Sequence, residues 1–231
     1  MPMLAWKEID TVLLDMDGTL LDLHFDNHFW LEFLPAKLAE RDGIAPEQAR
    51  EFMQGEYAKV TGTIDWYCLD YWTDKLQLDI VAAKREIQHL ISMREDTLPF
   101  LDALKESGRE VVLVTNAHPQ SLSLKVERTQ LDSHIDTLIS THEFGVTKES
   151  QLLWQQLQQR LGFDCARTLF VDDSLGILHA AQQYGIAHLL AVQNPDSKQP
   201  VREIDDFPAI QDYRYLLDDI RDNPSGKALS R

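Results

Sequence analysis

Five short runs rich in β-branched and other apolar residues alternate with segments of helical periodicity, and this alternation constrains the fold most strongly. The runs cover residues 11–14, 110–115, 137–140, 168–171 and 187–192. Strands separated by helices predict a parallel sheet, because each connection must cross back over the sheet. We therefore predict a doubly wound α/β fold, in which ligands bind beyond the carboxyl ends of the strands, where the strand order reverses.

Residues 24–93 interrupt this alternation. They contain no convincing strand, and a helix start at Pro46 is followed by further helical segments. We predict that residues 24–93 form a helical cap inserted after the first strand, and that residues 1–23 and 94–231 form the α/β core. The polar stretch at residues 223–231 is expected to be frayed.

Composition narrows the classes of partner. The chain has 231 residues, which suits one large domain or a core with a smaller insertion, and its formal charge of −16 opposes binding to nucleic acids and anionic membranes. Two cysteines give no disulfide framework. The amino terminus resembles no secretory leader and no long apolar stretch follows it. We expect a cytoplasmic protein with a small-molecule partner, and the oligomeric state stays open.

The hexapeptide Asp15-Met16-Asp17-Gly18-Thr19-Leu20 directly follows the first apolar run. Side chains alternate along extended backbone, so Asp15 and Asp17 are predicted to lie on one side of the strand end. Two close carboxylates repel unless a cation holds them, and Mg²⁺ is a hard ion that prefers oxygen ligands. The Gly18-Thr19 turn offers backbone N–H groups to an anion. An isolated Asp-x-Asp is also typical of a solvated acidic turn.

Polar residues follow three other strands. They are Thr115 and Asn116, Lys148, and the pair Asp172 and Asp173. The carboxyl ends of parallel strands meet at one edge of the sheet, so these groups are predicted to converge with Asp15. Taken alone, a Thr-Asn pair is also typical of a helix cap, and a single lysine is typical of a solvated surface charge.

These residue types suit phosphoryl transfer. A phosphomonoester resists attack because its oxygens are negatively charged, so a catalyst needs a nucleophile, cations and fixed donors. Asp15 is predicted to attack phosphorus, and Asp17 to protonate the leaving oxygen and then deprotonate water. The other predicted roles are phosphate contacts (Thr115, Asn116, Lys148) and Mg²⁺ ligands (Asp172 and Asp173, with Asp15 and the Asp17 backbone carbonyl).

These motifs, in this order and with a helical insertion after the first, resemble the haloacid dehalogenase superfamily of phosphotransferases with a C1-type cap. The motifs run from Asp15 to Ser174, about two thirds of the chain. The resemblance implies a Rossmann-like core, an aspartyl phosphate on Asp15 and a Mg²⁺ cofactor. The true dehalogenases of that superfamily lack the second aspartate of the first motif, so Asp17 favours phosphoryl chemistry.

Further strings resemble the bacterial 5′-nucleotidases of this superfamily that act on GMP and IMP. They lie at residues 25–30, 66–72, 115–119 and 194–197. The resemblance implies a phosphatase for purine nucleoside 5′-monophosphates. Two alternatives remain open, namely a phosphatase or phosphomutase for sugar phosphates or other small metabolites, and a phospho-accepting module without turnover.

The cap is expected to select the substrate. Tyr67 and Tyr71, four residues apart, are predicted to share a helix face and contact it. Asn27 and Arg94, near the two ends of the cap, are predicted to reach base, ribose or phosphate. His118 suits either a substrate contact or a helix cap. The residues expected to pack the cap interior are Trp66, Leu69 and Trp72.

Overall fold

The computed structural model describes residues 3–227, which contain one six-stranded parallel sheet. The strands are β1 (Thr11–Leu14), β2 (Glu110–Thr115), β3 (Thr137–Ser140), β4 (Thr168–Asp172), β5 (His188–Val192) and β6 (Ala209–Ile210). Their order is β3-β2-β1-β4-β5-β6, and every neighbouring pair is parallel. The predicted doubly wound α/β fold is confirmed, and the two-residue strand β6 is the one that the sequence pattern did not predict.

The sheet order places a crevice beside β1. The chain builds β2 and β3 on one side of β1 and then crosses to β4, β5 and β6 on the other. The connections beyond β1 therefore diverge, which leaves room for a ligand at its carboxyl end. Helices cover both faces of such a sheet, so all four residues of β1 are buried and three of them are apolar.

Eleven α-helices are described. They are α1 (His24–His28), α2 (Leu34–Asp42), α3 (Pro46–Val60), α4 (Ile64–Tyr67), α5 (Leu69–Leu76), α6 (Ile80–Glu86), α7 (Thr97–Glu106), α8 (Pro119–Thr129), α9 (Gln151–Leu161), α10 (Leu175–Tyr184) and α11 (Leu217–Asp222). A π-helical segment, Phe29–Phe33, joins α1 to α2. The first six helices lie between β1 and β2, within residues 24–93, and we call this region the helical insertion.

Alternate residues of β1 enter two separate hydrophobic clusters. Val12 and Leu14 pack with α7 and α11 on one face, whereas Leu13 packs with α9 and α10 on the other. This division follows from the two-residue period of a strand. Trp154 of α9 is fully buried, and its indole N–H donates to the Lys148 carbonyl over 2.9 Å, which ties a loop at the crevice to the core.

The helical insertion has a hydrophobic cluster of its own. Leu69 and Trp72 lie in it, as predicted, and Trp66 packs against its edge. The Trp72 indole N–H donates to the Trp66 carbonyl over 3.0 Å, and the Trp72 ring meets Tyr57 edge-on with 5.3 Å between centroids. The aromatic residues of this region thus stabilise one another through direct contacts.

The base of the sheet is held by residues far apart in the chain. The Asp10 carboxylate accepts hydrogen bonds from Arg167 and from Ser225, which is 1% exposed. Ser225 belongs to the stretch expected to be frayed, and that prediction is wrong at Asn223 and Ser225, because Arg109 donates to the Asn223 carbonyl and the Ser225 N–H donates to the Ser107 carbonyl. Residues 228–231 lie outside the described part. No helix described in residues 3–227 is long and apolar enough to cross a bilayer.

We predict that Asp10→Asn makes stability depend less on pH. The hydrogen bond from Arg167 lowers the pKa of Asp10 to about 2, below its usual 3.8, despite the opposing effect of burial. The stabilisation is therefore present above pH 3.8 and is lost as the pH falls toward 2. The variant should be less stable by about 1 kcal/mol at pH 7 and nearly equal at the lowest pH where both forms fold. Urea unfolding of the parent protein and the variant across this pH range measures the difference in stability. A difference that stays constant with pH would contradict the prediction.

Candidate active site

Asp15 lies at the end of β1 and faces the crevice. Its backbone N–H donates to the Val171 carbonyl over 3.0 Å, so the neighbouring strand fixes its position. The Thr19 hydroxyl donates to Asp15 Oδ2 over 3.0 Å, and Lys148 Nζ donates to Oδ1 over 2.7 Å. The carboxylate is thus oriented at both oxygens while the residue stays 7% exposed.

Lys148 is 1% exposed and lies between two carboxylates. Its Nζ also donates to Asp172 Oδ2 over 2.8 Å. Burial opposes the charged form, but Asp15 and Asp172 outweigh it and raise the pKa of Lys148 above its ordinary value. The side chain is therefore an ammonium ion, and it brings positive charge to a chain that is strongly negative as a whole.

Asp15, Asp172 and Asp173 form an acidic cluster whose ligand oxygens lie within 4.8 Å of one another. Burial first, and then the charge of Asp15, raise the pKa of Asp172 to about 7 and that of Asp173 well above its usual value. A divalent cation would relieve this repulsion, and all donors are oxygens, as Mg²⁺ prefers. The donor set therefore fits a divalent metal ion.

Gly18 brings the backbone of the first motif against this cluster. Its φ is +85°, and a Cβ at this position would lie 2.7 Å from Asp173 Cγ. A side chain would therefore meet both a left-handed backbone and a carboxylate. The glycine of the hexapeptide is required for the close approach of two strand ends.

Asp17 is held by a lysine that the sequence analysis did not single out. Lys125 Nζ donates to Asp17 Oδ1 over 2.6 Å and to both oxygens of Asp26 over 2.9 and 2.7 Å. Burial and the charge of Asp26 raise the pKa of Asp17 to about 7, against the opposing effect of Lys125. The sequence does offer one sign of this role. Lys125 lies beside Leu124 and four residues after Ser121, which places it on the buried face of α8.

A second buried lysine lies on the cap side of Asp26. Lys84 Nζ is 3.5 Å from Asp26 Oδ1 and 4.7 Å from the centre of the Phe29 ring. Burial lowers the pKa of Lys84 to about 8, and Asp26 opposes the decrease. Lys84 and Lys125 thus share one counterion, which joins α1, α6 and α8.

Asn116 organises the loop that carries Lys148. Its Oδ1 accepts the Lys148 N–H over 2.9 Å and the Thr141 hydroxyl over 3.1 Å, and its Nδ2 donates to Glu149 over 3.2 Å. Thr115 accepts the Ala117 N–H over 3.0 Å, as in a tight turn. Both residues therefore have local structural partners as well as positions at the crevice.

A cavity of about 300 Å³ separates the insertion from the core, at the lower end of the range for ligand pockets. On the core side it is lined by Asp15, Asp17, Thr115, Asn116, Lys148, Asp172 and Asp173. On the cap side it is lined mainly by aromatic rings, from Trp30, Tyr57, Trp66, Tyr67 and Trp72. Asn27 also lines it and donates to Asp196 over 2.8 Å. The polar strand ends thus line one side of the cavity, and these five aromatic residues form a wall on the other side.

Tyr67 lies in this wall, but Tyr71 does not. The Tyr67 hydroxyl donates to Glu149 over 3.1 Å, whereas Tyr71 packs edge-on against Trp72 with 5.1 Å between centroids. The prediction that Tyr67 and Tyr71 share a helix face was wrong, because α4 ends at Tyr67 and extended backbone at Cys68 separates it from α5. Spacing by four residues places two side chains together only within one helix.

The structure also places Arg94 away from the cavity. Its guanidinium donates to Asp96, to the Asn194 carbonyl over 2.8 Å and to the Gln211 carbonyl over 2.9 Å. It lines a different depression and is not among the residues that line the cavity, so its position does not support the expected substrate contact. His118 accepts the Gln120 N–H over 3.2 Å, which is the helix-cap role considered for it, and it also lines the cavity.

The sequence model of the haloacid dehalogenase-like hydrolase family matches residues 9–185, and the chain belongs to this family. It is 50% identical over 214 residues to the GMP/IMP nucleotidase YrfG of Escherichia coli K12, covering 93% of this chain and 96% of that protein. Among solved structures, a HAD phosphatase from Thermococcus onnurineus matches with a TM-score of 0.73 and 24% identity, over 92% of this chain and 97% of the other. A putative β-phosphoglucomutase from Thermotoga maritima matches with a TM-score of 0.62 and 15% identity, over 93% and 99% of the two chains. These two structures support the fold alone.

We predict that Gly18→Ala abolishes binding of a divalent cation, because the added Cβ displaces the Asp173 carboxylate. Gly43→Ala is the matched control, since Gly43 also has a positive φ, +64°, but nothing lies within 4 Å of its Cβ position. Both variants should lose about 1 kcal/mol of stability through backbone strain. Only Gly18→Ala should lose the rise in melting temperature that we expect Mg²⁺ to produce in the parent protein. Equal responses to Mg²⁺ would contradict the prediction.

Proposed function

We propose that this protein is a Mg²⁺-dependent phosphatase that hydrolyses purine nucleoside 5′-monophosphates, with GMP and IMP as the preferred substrates. The single observation that carries the proposal is one cavity that holds the Asp15–Lys148 pair on its core side and a wall of aromatic rings on its cap side. The 50% identity to a protein described as a GMP/IMP nucleotidase supports the same substrate class.

The proposed reaction has two steps. An oxygen of Asp15 attacks phosphorus, the bond from phosphorus to the ester oxygen breaks, and Asp17 gives that oxygen its proton. Water then attacks the phosphorus of the aspartyl phosphate while Asp17 accepts its proton, which releases phosphate and restores Asp15. The Lys148 ammonium balances the charge of the phosphoryl group, and the Thr115 and Asn116 side chains lie where they can contact its oxygens.

Mg²⁺ is the proposed cofactor. Asp15, Asp172 and Asp173 would hold it through carboxylate oxygens, with the Asp17 backbone carbonyl as a further ligand. The ion would neutralise phosphoryl charge when it is bound. The convergence of three carboxylates and the raised pKa values of Asp172 and Asp173 support this assignment.

We further propose that residues 24–93 act as a cap domain that selects the leaving group. Aromatic faces suit stacking against a purine, and Trp30 and Trp66 are only half-buried at the cavity. Asn27 lines the same cavity and is the proposed amide contact to the ribose or base.

The free cysteines Cys68 and Cys165 are consistent with a reducing compartment and hence with the cytoplasm.

A panel of phosphomonoesters, compared by kcat/KM with and without Mg²⁺, tests the substrate class. GMP and IMP should exceed ribose 5-phosphate and glucose 6-phosphate by about 100-fold, because the sugar phosphates lack the base that stacks on the cap. Higher values for the sugar phosphates would replace the nucleotide proposal with the small-metabolite alternative. Phosphorylation without release of phosphate would indicate a phospho-accepting module.

We predict that Asp15→Asn lowers kcat for GMP by about 1,000-fold or more, because the amide is a poor nucleophile toward phosphorus. The exposed, remote Asp132 supplies a control, since Asp132→Asn makes the same chemical change and should leave kcat unaltered. Circular dichroism checks that both variants are folded. Near-normal turnover by folded Asp15→Asn would rule out the nucleophile assignment.

We predict that Lys125→Met damages acid catalysis rather than binding, because Lys125 orients the Asp17 carboxyl group. kcat should fall by about 100-fold for GMP, whose leaving alkoxide needs a proton, but by less than about 10-fold for p-nitrophenyl phosphate, whose leaving phenolate does not. Asp17→Asn should show the same dependence on the leaving group, and Lys125→Arg should restore part of the GMP activity. Equal losses on both substrates would indicate a structural role only.

A further inference from the structure

We propose a regulatory Zn²⁺ site between the cap and the core, separate from the acidic cluster. Its ligands are Cys68, Asp70, His118 and His142. The first two belong to the cap at the junction of α4 and α5, and the others follow β2 and β3 of the core. A bound ion would therefore fasten the two parts together at the edge of the cavity.

The donor atoms already lie close together. Ligand atoms of Cys68, His118 and His142 lie within 4.8 Å of one another. The Asp70 carboxylate adds a fourth donor, with its Oδ2 3.3 Å from His118 Nε2. Neighbouring nitrogen and oxygen ligands of tetrahedral Zn²⁺ are separated by about 3.3 Å, so this pair already has the required spacing. The ligand atoms of Cys68 and His142 need to move closer by about 1 Å, which rotation of side chains can supply.

The hydrogen bonds of the two histidines determine what binding requires. His142 Nε2 lies 3.1 Å from the Asn116 carbonyl, so Nε2 carries the proton and Nδ1 keeps a free lone pair for a metal. His118 would bind through Nε2, which moves its proton to Nδ1 and breaks the hydrogen bond from Gln120. Gln120 is exposed, so water can accept that N–H.

Ligand chemistry assigns different ions to the two sites. Cys68 supplies a thiolate and the histidines supply imidazoles, a set that favours Zn²⁺ over Mg²⁺. Asp15, Asp172 and Asp173 supply oxygen alone. His142 and Cys68 are only partly buried, which leaves a path for the ion.

Zn²⁺ at this position would slow cap movement, and this consequence rests on the proposed phosphatase activity. Cys68 adjoins Tyr67, which already contacts Glu149 across the cavity. His142 contacts the backbone of Asn116, next to the phosphate-binding groups. An enzyme whose cap must open for substrate entry and product release would then turn over more slowly.

Equilibrium dialysis with Zn²⁺ at saturating Mg²⁺ tests the site without reference to activity. The protein should bind one Zn²⁺ per chain, and Cys68→Ser should weaken binding by about 10-fold or more. Cys165→Ser, the matched control at the other free cysteine, should bind like the parent protein. Co²⁺ in place of Zn²⁺ should give thiolate charge-transfer absorption that Cys68→Ser alone abolishes. Absent Zn²⁺ binding, or equal binding and spectra in both variants, would overturn the site.

Inhibition assays then test the regulatory consequence. Zn²⁺ should inhibit the parent protein and Cys165→Ser at a concentration about 10-fold lower than is needed for Cys68→Ser. Equal inhibition of all three would show that Zn²⁺ acts by displacing Mg²⁺ and would overturn the regulatory role. If no phosphatase activity is found, the proposed function fails while the dialysis and Co²⁺ spectra still decide the site.

Discussion

The buried ammonium of Lys148 between Asp15 and Asp172 is the interaction on which the site depends. A buried charge is costly unless partners surround it, so removing any one of the three leaves the others uncompensated. Much of the surrounding structure serves to position this one cation. The Val171 carbonyl fixes the backbone of Asp15. Asn116 accepts the Lys148 N–H, and the Trp154 indole donates to the Lys148 carbonyl.

A second buried ion cluster links the cap to the chemistry. Asp26 of α1 is a counterion for Lys125 of α8, which also holds Asp17, so the position of the cap and the surroundings of Asp17 are coupled. Lys84 adds another charge from α6. Three buried lysines therefore reach the cavity region of a chain with a net charge of −16, and they offset part of the negative charge of the five aspartates that line the cavity.

The sequence predicted what local pattern encodes. Apolar runs placed five strands almost to the residue, and their carboxyl ends identified Asp15, Lys148 and Asp172, because parallel strands bring such ends together. Tyr71 was misplaced because the helix break at Cys68 has no strong signal. Lys125 was missed because its partners lie about 100 positions away. Arg94 was assigned to the substrate because its partners, the carbonyls of Asn194 and Gln211, are equally distant in the chain. Pairings of this kind depend on tertiary packing, which one sequence does not display.

The hydrogen bond between Asp10 and Ser225 spans 215 positions of the chain. Synthesis proceeds from the amino terminus, so the lower end of β1 stays without this partner until almost all the described chain has been made. β4, the neighbour on one side of β1, also emerges long after it. The nascent polypeptide thus carries β1 paired with β2 on one side only, and with its other edge open until β4 has been made, which leaves buried apolar residues of the strand exposed during synthesis.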